Sequence, residues 1–299
     1  MTLRTLATVA IGVSLIGPAH AQRTSRYDVT DESTIARTLA FGPGGGRTVD
    51  VRNLNGFIHV EGTGDSTVQM SIHKTVRAET AADKAEAERD VRLDFSDQKA
   101  TIEAVVRDRR DHVCGEHNRD DRPWERVHYD VRFDFTIRVP RDARLRLCTI
   151  NAGDLIVNGT HGGFDVDNVN GRIEMTGVAG SGRAHTVNGP VKVAFTANPA
   201  EASSFKTVNG NVDVSFVDGL SADLSMKTFN GGLFTDFDVQ PLAGKTSAAP
   251  ERRGGKFVYR ANEFTRVRVG RGGPEISFET LNGNVHALRS PRDSSSPRR

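Results

Sequence analysis

From residue 48 onward, polar and apolar residues alternate with a period of two. That is the pattern of strands that bury one face. Residues 49–51, 57–60, 68–72, 91–95 and 100–106 read as strands, and 127–139 (VHYDVRFDFTIRV) reads as a long one ended by Pro140. One stretch breaks the period. Residues 78–89 (AETAADKAEAER) are rich in Ala, Glu and Lys, with no β-branched residue after Thr80. This predicts a short helix, polar enough to lie on the outside of a sheet.

After Pro140 one block recurs. Its copies are TINAGDLIV from Thr149, NVNGRIEM from Asn168, TVNGPVKV from Thr186, TVNGNVDV from Thr207, TFNGGLFT from Thr228 and TLNGNVHA from Thr280. An earlier copy, NLNGFIHV, starts at Asn53. Counting from Asn151, the key asparagines follow at intervals of 19, 18, 21, 21 and 52 residues. The even middle intervals mark a repeat architecture, and the long last one holds an insertion at 241–255 rich in Ala, Gly, Pro and basic residues. The corners are Asn55–Gly56, Asn170–Gly171, Asn188–Gly189, Asn209–Gly210, Asn230–Gly231 and Asn282–Gly283. Asn and Gly both tolerate positive φ, so the pair allows a tight turn between strands.

A unit of about 20 residues holds two short strands and cannot bury its apolar face alone. Two arrangements satisfy it. One is a solenoid-like stack with the corners in a column; the other is an antiparallel meander of hairpins. Recurrence of the whole block favours the first. The expected fold is therefore all-β: a single β-solenoid-like domain of stacked two-strand repeats over 48–288, with one short peripheral helix. Stacked Asn side chains, and the Thr before each corner, are expected to hydrogen-bond along the column.

These Thr-Val-Asn-Gly-x-Val-x-Val blocks resemble the bacterial putative-adhesin family, a domain of unknown function. The early Asn55–Gly56 copy, the Ala/Glu helix and the stretch from Val139 (VPRDARL) resemble it too, over roughly 48–288. The resemblance implies an exported or membrane-linked protein whose repeats stack as a toast-rack β-solenoid. It implies adhesion by name, without a ligand or catalytic residues. The chain departs from the family pattern at Asn151-Ala152-Gly153, in the cysteine-containing loop and in the 241–255 insertion.

Residues 1–21 have the features of a secretory signal peptide: Arg4, an apolar run at 6–16, a Gly17-Pro18 break and the small-x-small site Ala19-His20-Ala21. The run has 11 residues, short of the ~20 that span a bilayer. Cleavage is expected, leaving a periplasmic or secreted chain that does not span a membrane. Residues 22–47 read as a polar leader with a Gly-rich turn at 42–46. That turn is no phosphate loop, because a strand pattern follows it and no Lys-Ser/Thr does. Residues 289–299 read as a disordered basic tail. A formal charge of +2 over 299 residues gives no electrostatic warrant for nucleic acid.

An even cysteine count in an exported chain points to a disulfide between Cys114 and Cys148. The competing reading is a metal held by His112, Cys114 and His117, at a spacing that matches no standard finger.

Catalytic motifs are missing: the chain has no Gly-x-Ser-x-Gly and no His-Glu-x-x-His. Carboxylates alternate with bases along strands, as in Asp130, Arg132 and Asp134, the look of a solvated face. A carbohydrate-active enzyme would need clustered carboxylates, for which Asp165, Asp167 and Glu174 are the candidates. His185 and His286 flank corners at unlike offsets and share no role. With Trp124 the single tryptophan and aromatics at 6%, sugar-stacking platforms are few. The sequence reads as a non-enzymatic envelope or secreted protein without a cofactor. Its stacked surface would bind an unidentified protein or glycan of the cell envelope, with self-association through edge strands as a further use. A carbohydrate-active enzyme and an envelope-stress sensing module are the alternatives.

Overall fold

The computed structural model of the chain describes residues 26–44, 46–98, 100–116, 126–242, 251–253, 256–258 and 264–290. The expected signal segment, His117, Trp124, most of the 241–255 insertion and nearly all of the expected tail lie outside them.

The alternating segments form strands, and their chain order is β1 (Val29–Ala40), β2 (Thr48–Arg52), β3 (Ile58–Thr63), β4 (Thr67–Ala78), helix α1 (Ala81–Asp90), β5 (Arg92–Gln98), β6 (Thr101–Arg107) and β7 (Tyr129–Pro140). The repeats contribute β8 (Arg144–Thr149), β9 (Leu155–Asn158), β10 (Phe164–Asn168), β11 (Ile173–Val178), β12 (Gly182–His185), β13 (Val191–Phe195), β14 (Ser203–Lys206) and β15 (Val212–Phe216). Then come β16 (Ala222–Asn230), β17 (Leu233–Thr235), β18 (Val239–Pro241), the hairpin β19 (Glu251–Arg253) and β20 (Lys256–Val258), β21 (Thr265–Val269), β22 (Glu275–Asn282) and β23 (Val285–Arg289).

These strands build two mixed sheets. One has ten strands in the order β1-β4-β7-β3-β9-β11-β13-β15-β23-β17, and the other eleven in the order β18-β21-β16-β22-β14-β12-β10-β8-β2-β6-β5. From β8 to β15 the chain crosses from one sheet to the other at every turn. Each strand pairs in parallel with its counterpart one repeat away, as β11 does with β13 and β10 with β12. Parallel pairing excludes the hairpin meander for these copies. Antiparallel strands form the margins: β1 on β4 and β4 on β7 in one sheet, β5 on β6 and β21 on β16 in the other.

The inward residues of the two sheets meet in one core. Phe164, Phe205 and Phe278 of the eleven-stranded sheet interleave with Phe195 and Phe216 of the other, at ring separations of 6.5 Å for Phe164–Phe195 and 6.1 Å for Phe195–Phe205. Parallel sheets usually hide both faces under helices. Here each sheet covers the inner face of the other, and alternation leaves charged residues on the outer faces.

Two expectations change. Stacking in sequence order stops after β15. The last copy, β22–β23, does not follow β16–β17 in the stack; it lies between them and the fourth copy, with β14 and β16 on either side of β22 and β15 and β17 on either side of β23. And residues 22–47 are more than a leader: β1 pairs with β4 over 12 residues. Helix α1 starts where its cap dictates, with Thr80 Oγ1 accepting from the Asp83 N–H at 3.2 Å, and it buries only Ala87.

Candidate functional site

Stacking brings the corners into a column. Asn170 Nδ2 donates to Asn151 Oδ1, Asn188 to Asn170 and Asn209 to Asn188, each at 2.8 Å. Asn282 then donates to Asn209 and Asn230 to Asn282, each at 2.7 Å. The order follows the stack rather than the sequence. Asn55 sits at the start, where β7 closes the column: its Nδ2 donates to Asp130 Oδ1 at 3.2 Å and to the Val131 carbonyl at 3.3 Å.

The threonines do not form a ladder of their own. Each hydroxyl donates to the glycine carbonyl of the neighbouring repeat: Thr186 to Gly171, Thr207 to Gly189, Thr280 to Gly210 and Thr228 to Gly283, at 2.7–2.9 Å. Asn168 fills this role in its copy, reaching the Gly153 carbonyl at 3.1 Å.

The reason for glycine also differs from the expectation. No corner asparagine has positive φ; Gly56, Gly189, Gly210 and Gly283 do, at 114–156°. More decisive is proximity. A Cβ on Gly189, Gly210, Gly283 or Gly231 would land on the glycine carbonyl of the adjacent repeat, well inside van der Waals contact. The extra residue in the first copy, Ala152, takes φ +56°, and Gly153 then fills the glycine position in the column.

Beside the amide ladder runs a row of apolar side chains, the residue between each Thr and Asn. Main-chain bonds place Val169, Val187, Val208 and Leu281 in successive layers, and the β16–β22 register puts Phe229 next. Val187 (39%), Leu281 (45%) and Phe229 (60%) are exposed, whereas Val169 and Val208 are half-buried, so the most exposed members are the two in the last layers of the row. Phe234, 49% exposed, follows the same corner as Phe229 and stacks on His286. Sequence reasoning passed over this row. Its signal was an apolar residue recurring where the alternation calls for an outward-facing one.

The outer face of the eleven-stranded sheet is different in kind. Register aligns Asp50, Arg146, Asp165, Arg183, Ser204 and Ser277 in one row. Asp167, His185, Lys206 and Glu279 lie in the next. Charges in these rows are paired. Arg183 bridges Asp165 and Asp167, Lys206 meets Glu279 at 3.0 Å, and the fully buried Asp50 is held by Arg52 at 2.9 Å and Arg146 at 3.2 Å.

Across the first row lies a groove of about 410 Å³, whose lining includes Arg144, Phe164, Asp165, Arg183, Ser204 and Glu275. His185 Nε2 is 3.0 Å from Ser204 Oγ. Burial, with Arg183 and Lys206 nearby, holds the His185 imidazole below its ordinary pKa. Asp167, the carboxylate in register with His185, is engaged by Arg183, so no Ser-His-Asp relay forms. Burial raises the Asp167 pKa, against the opposing pull of Arg183.

The three candidate carboxylates are not brought together. Asp165 and Asp167 share β10, whereas Glu174 projects from the other sheet on β11, against Lys192 at 3.4 Å and Arg172 at 3.8 Å.

Cys114 and Cys148 are joined in a disulfide that fastens the 108–116 loop over β8. The Cys114 sulfur is thereby withdrawn from the metal reading, and the His112 ring faces Asp108 Oδ2 at 2.9 Å instead. Among the described residues there is no group of three or more His, Cys, Asp or Glu placed to hold a metal ion. No helix among them is long and apolar enough to cross a membrane.

No protein-family model matches the chain, and no curated protein does. Among solved structures, a putative cell adhesion protein from Clostridium sporogenes ATCC 15579 aligns with 86% of this chain and 100% of its own, at 10% identity and a TM-score of 0.37. A superposition that loose carries no argument about fold, ligand or role.

Proposed function

We propose that the chain is an exported, non-enzymatic adhesion or envelope-binding protein whose recognition surface is the corner column. The observation that carries this is the group of exposed apolar side chains at the far end of the column, Leu281, Phe229 and Phe234, with Val187 exposed two layers earlier. Most apolar residues left in water are scattered, whereas a set exposed in adjacent layers marks a contact site. Repeated at strand spacing of about 4.8 Å, it suits an extended partner, a glycan or polypeptide that meets one layer after another. The disulfide supports placement outside the cytoplasm. The pairing of Asp165 and Asp167 with Arg183, and of Glu174 on the other sheet with Arg172 and Lys192, counts against these three carboxylates as a carbohydrate-cleaving pair.

The test is co-sedimentation of the purified protein with envelope fragments of the producing bacterium. A Phe229→Ser/Phe234→Ser double variant, verified as folded by its melting curve, should bind at least about tenfold more weakly, since aromatic anchors contribute ~2 kcal/mol or more each. Equal sedimentation of variant and wild type would overturn the reading.

A further inference from the structure

The chain contains seven Asn-Gly pairs, the six corners above and Asn158–Gly159. Such pairs can deamidate. The glycine nitrogen bonds to the asparagine Cγ, the bond from Cγ to the side-chain amide nitrogen breaks, and ammonia leaves with the displaced proton. Water then opens the resulting succinimide at either carbonyl, giving aspartate or isoaspartate. The step requires a glycine N–H free to turn inward and an amide free to rotate.

At six pairs the stack denies both freedoms. The N–H groups of Gly56, Gly159, Gly171, Gly189, Gly210 and Gly283 each donate to a carbonyl of the adjacent layer, all at 2.9–3.0 Å. The amides of Asn170, Asn188, Asn209 and Asn282 each bond on both sides within the ladder. Asn55 is tied to β7 and Asn158 accepts from Thr176 Oγ1.

Asn230 stands at the far end. Its Nδ2 reaches back to Asn282, but among the described residues nothing donates to its Oδ1, and the Gly231 N–H has no acceptor. The residue is exposed and flanked by exposed Phe229.

We infer that Asn230–Gly231 is a modification site, the one pair in the folded protein that converts spontaneously to aspartate or isoaspartate. Conversion replaces the Nδ2 donor by a carboxylate facing Asn282 Oδ1, so the ladder shortens by one member. It goes no further, because Gly283 N still donates to the Asn230 main-chain carbonyl.

The experiment incubates the folded protein in mildly alkaline buffer and maps the amide-to-acid mass gain by peptide mass spectrometry. Asn230 should convert at least about tenfold faster than the pairs inside the ladder, the factor that two net hydrogen bonds supply, and several-fold faster than Asn158–Gly159, which differs from it by one. In concentrated urea the seven rates should converge. An Asn230→Gln variant should show no early conversion at all. A different leading pair, or equal rates in the folded protein, overturns the inference. So does an Asn230 lead that persists undiminished in urea, which would assign the effect to the local Phe-Asn-Gly-Gly sequence.

Discussion

Glycine and asparagine share each corner, yet they hold it in unequal ways. The asparagine adds exposed side-chain hydrogen bonds, each worth about 1 kcal/mol net. The glycine leaves room for the next layer, and nothing else fits there. Gly210→Ala would drive a Cβ onto the Gly189 carbonyl, costing about 3 kcal/mol or more and lowering the melting temperature by roughly 10 °C. Asn209→Ala, which removes two ladder bonds, should cost about 1–2 kcal/mol. Thermal melts of the two variants decide it; equal losses would mean that close approach does not set the choice of glycine.

Acid behaviour also belongs to single residues. His185 and His59 both have lowered pKa values, chiefly through burial. Below the ordinary histidine range the unfolded chain therefore takes up protons that the folded one resists, and stability falls as pH falls through that window. In His185→Gln the decline of melting temperature across that window should be shallower than in wild type, as scanning calorimetry against pH would show. The corner residues were legible because they recur; why each is needed was not, since the close carbonyl belongs to another repeat.

Among elements, the strands and the helix followed from local pattern, and the helix expected over 78–89 runs from Ala81 to Asp90. Strand β1 did not. Its inward residues Val29, Ile35 and Leu39 are only half-buried, and the intervening Thr, Ser, Glu and Arg give it the polar look of a protected sheet edge. The 108–116 loop is likewise an element without a pattern of its own. It is secured by the disulfide, which closes a 34-residue span, and by Glu116 on Arg52 at 2.7 Å. A Cys114→Ala/Cys148→Ala variant should lose about 3–4 kcal/mol, as a crosslink of that span implies. Denaturant titration measures the loss, and hydrogen exchange should show the loop opening first. An unchanged midpoint would mean that the loop is held by its ion pairs alone.

At the scale of the molecule, alternation and repeat spacing foretold an all-β chain with stacked corners. Layer order was out of reach. The copies from Thr186, Thr207, Thr228 and Thr280 all present the same Thr-x-Asn-Gly block, so the sequence does not say where in the stack the last of them goes. The 52-residue interval between Asn230 and Asn282 was the one hint that the last copy travels. Its place, between layers laid down earlier in the chain, has a consequence for synthesis. Strands β16 and β17 leave the ribosome before the strands that seat them exist. Until β22 and β23 arrive, the inward faces of Phe205 and Phe216 lack their final cover, and β16 and β17 lack the strands that join them to the rest of their sheets. The late copy thus acts as a keystone: the barrier to completing this fold falls where β22 and β23 are added, however early the first layers settle.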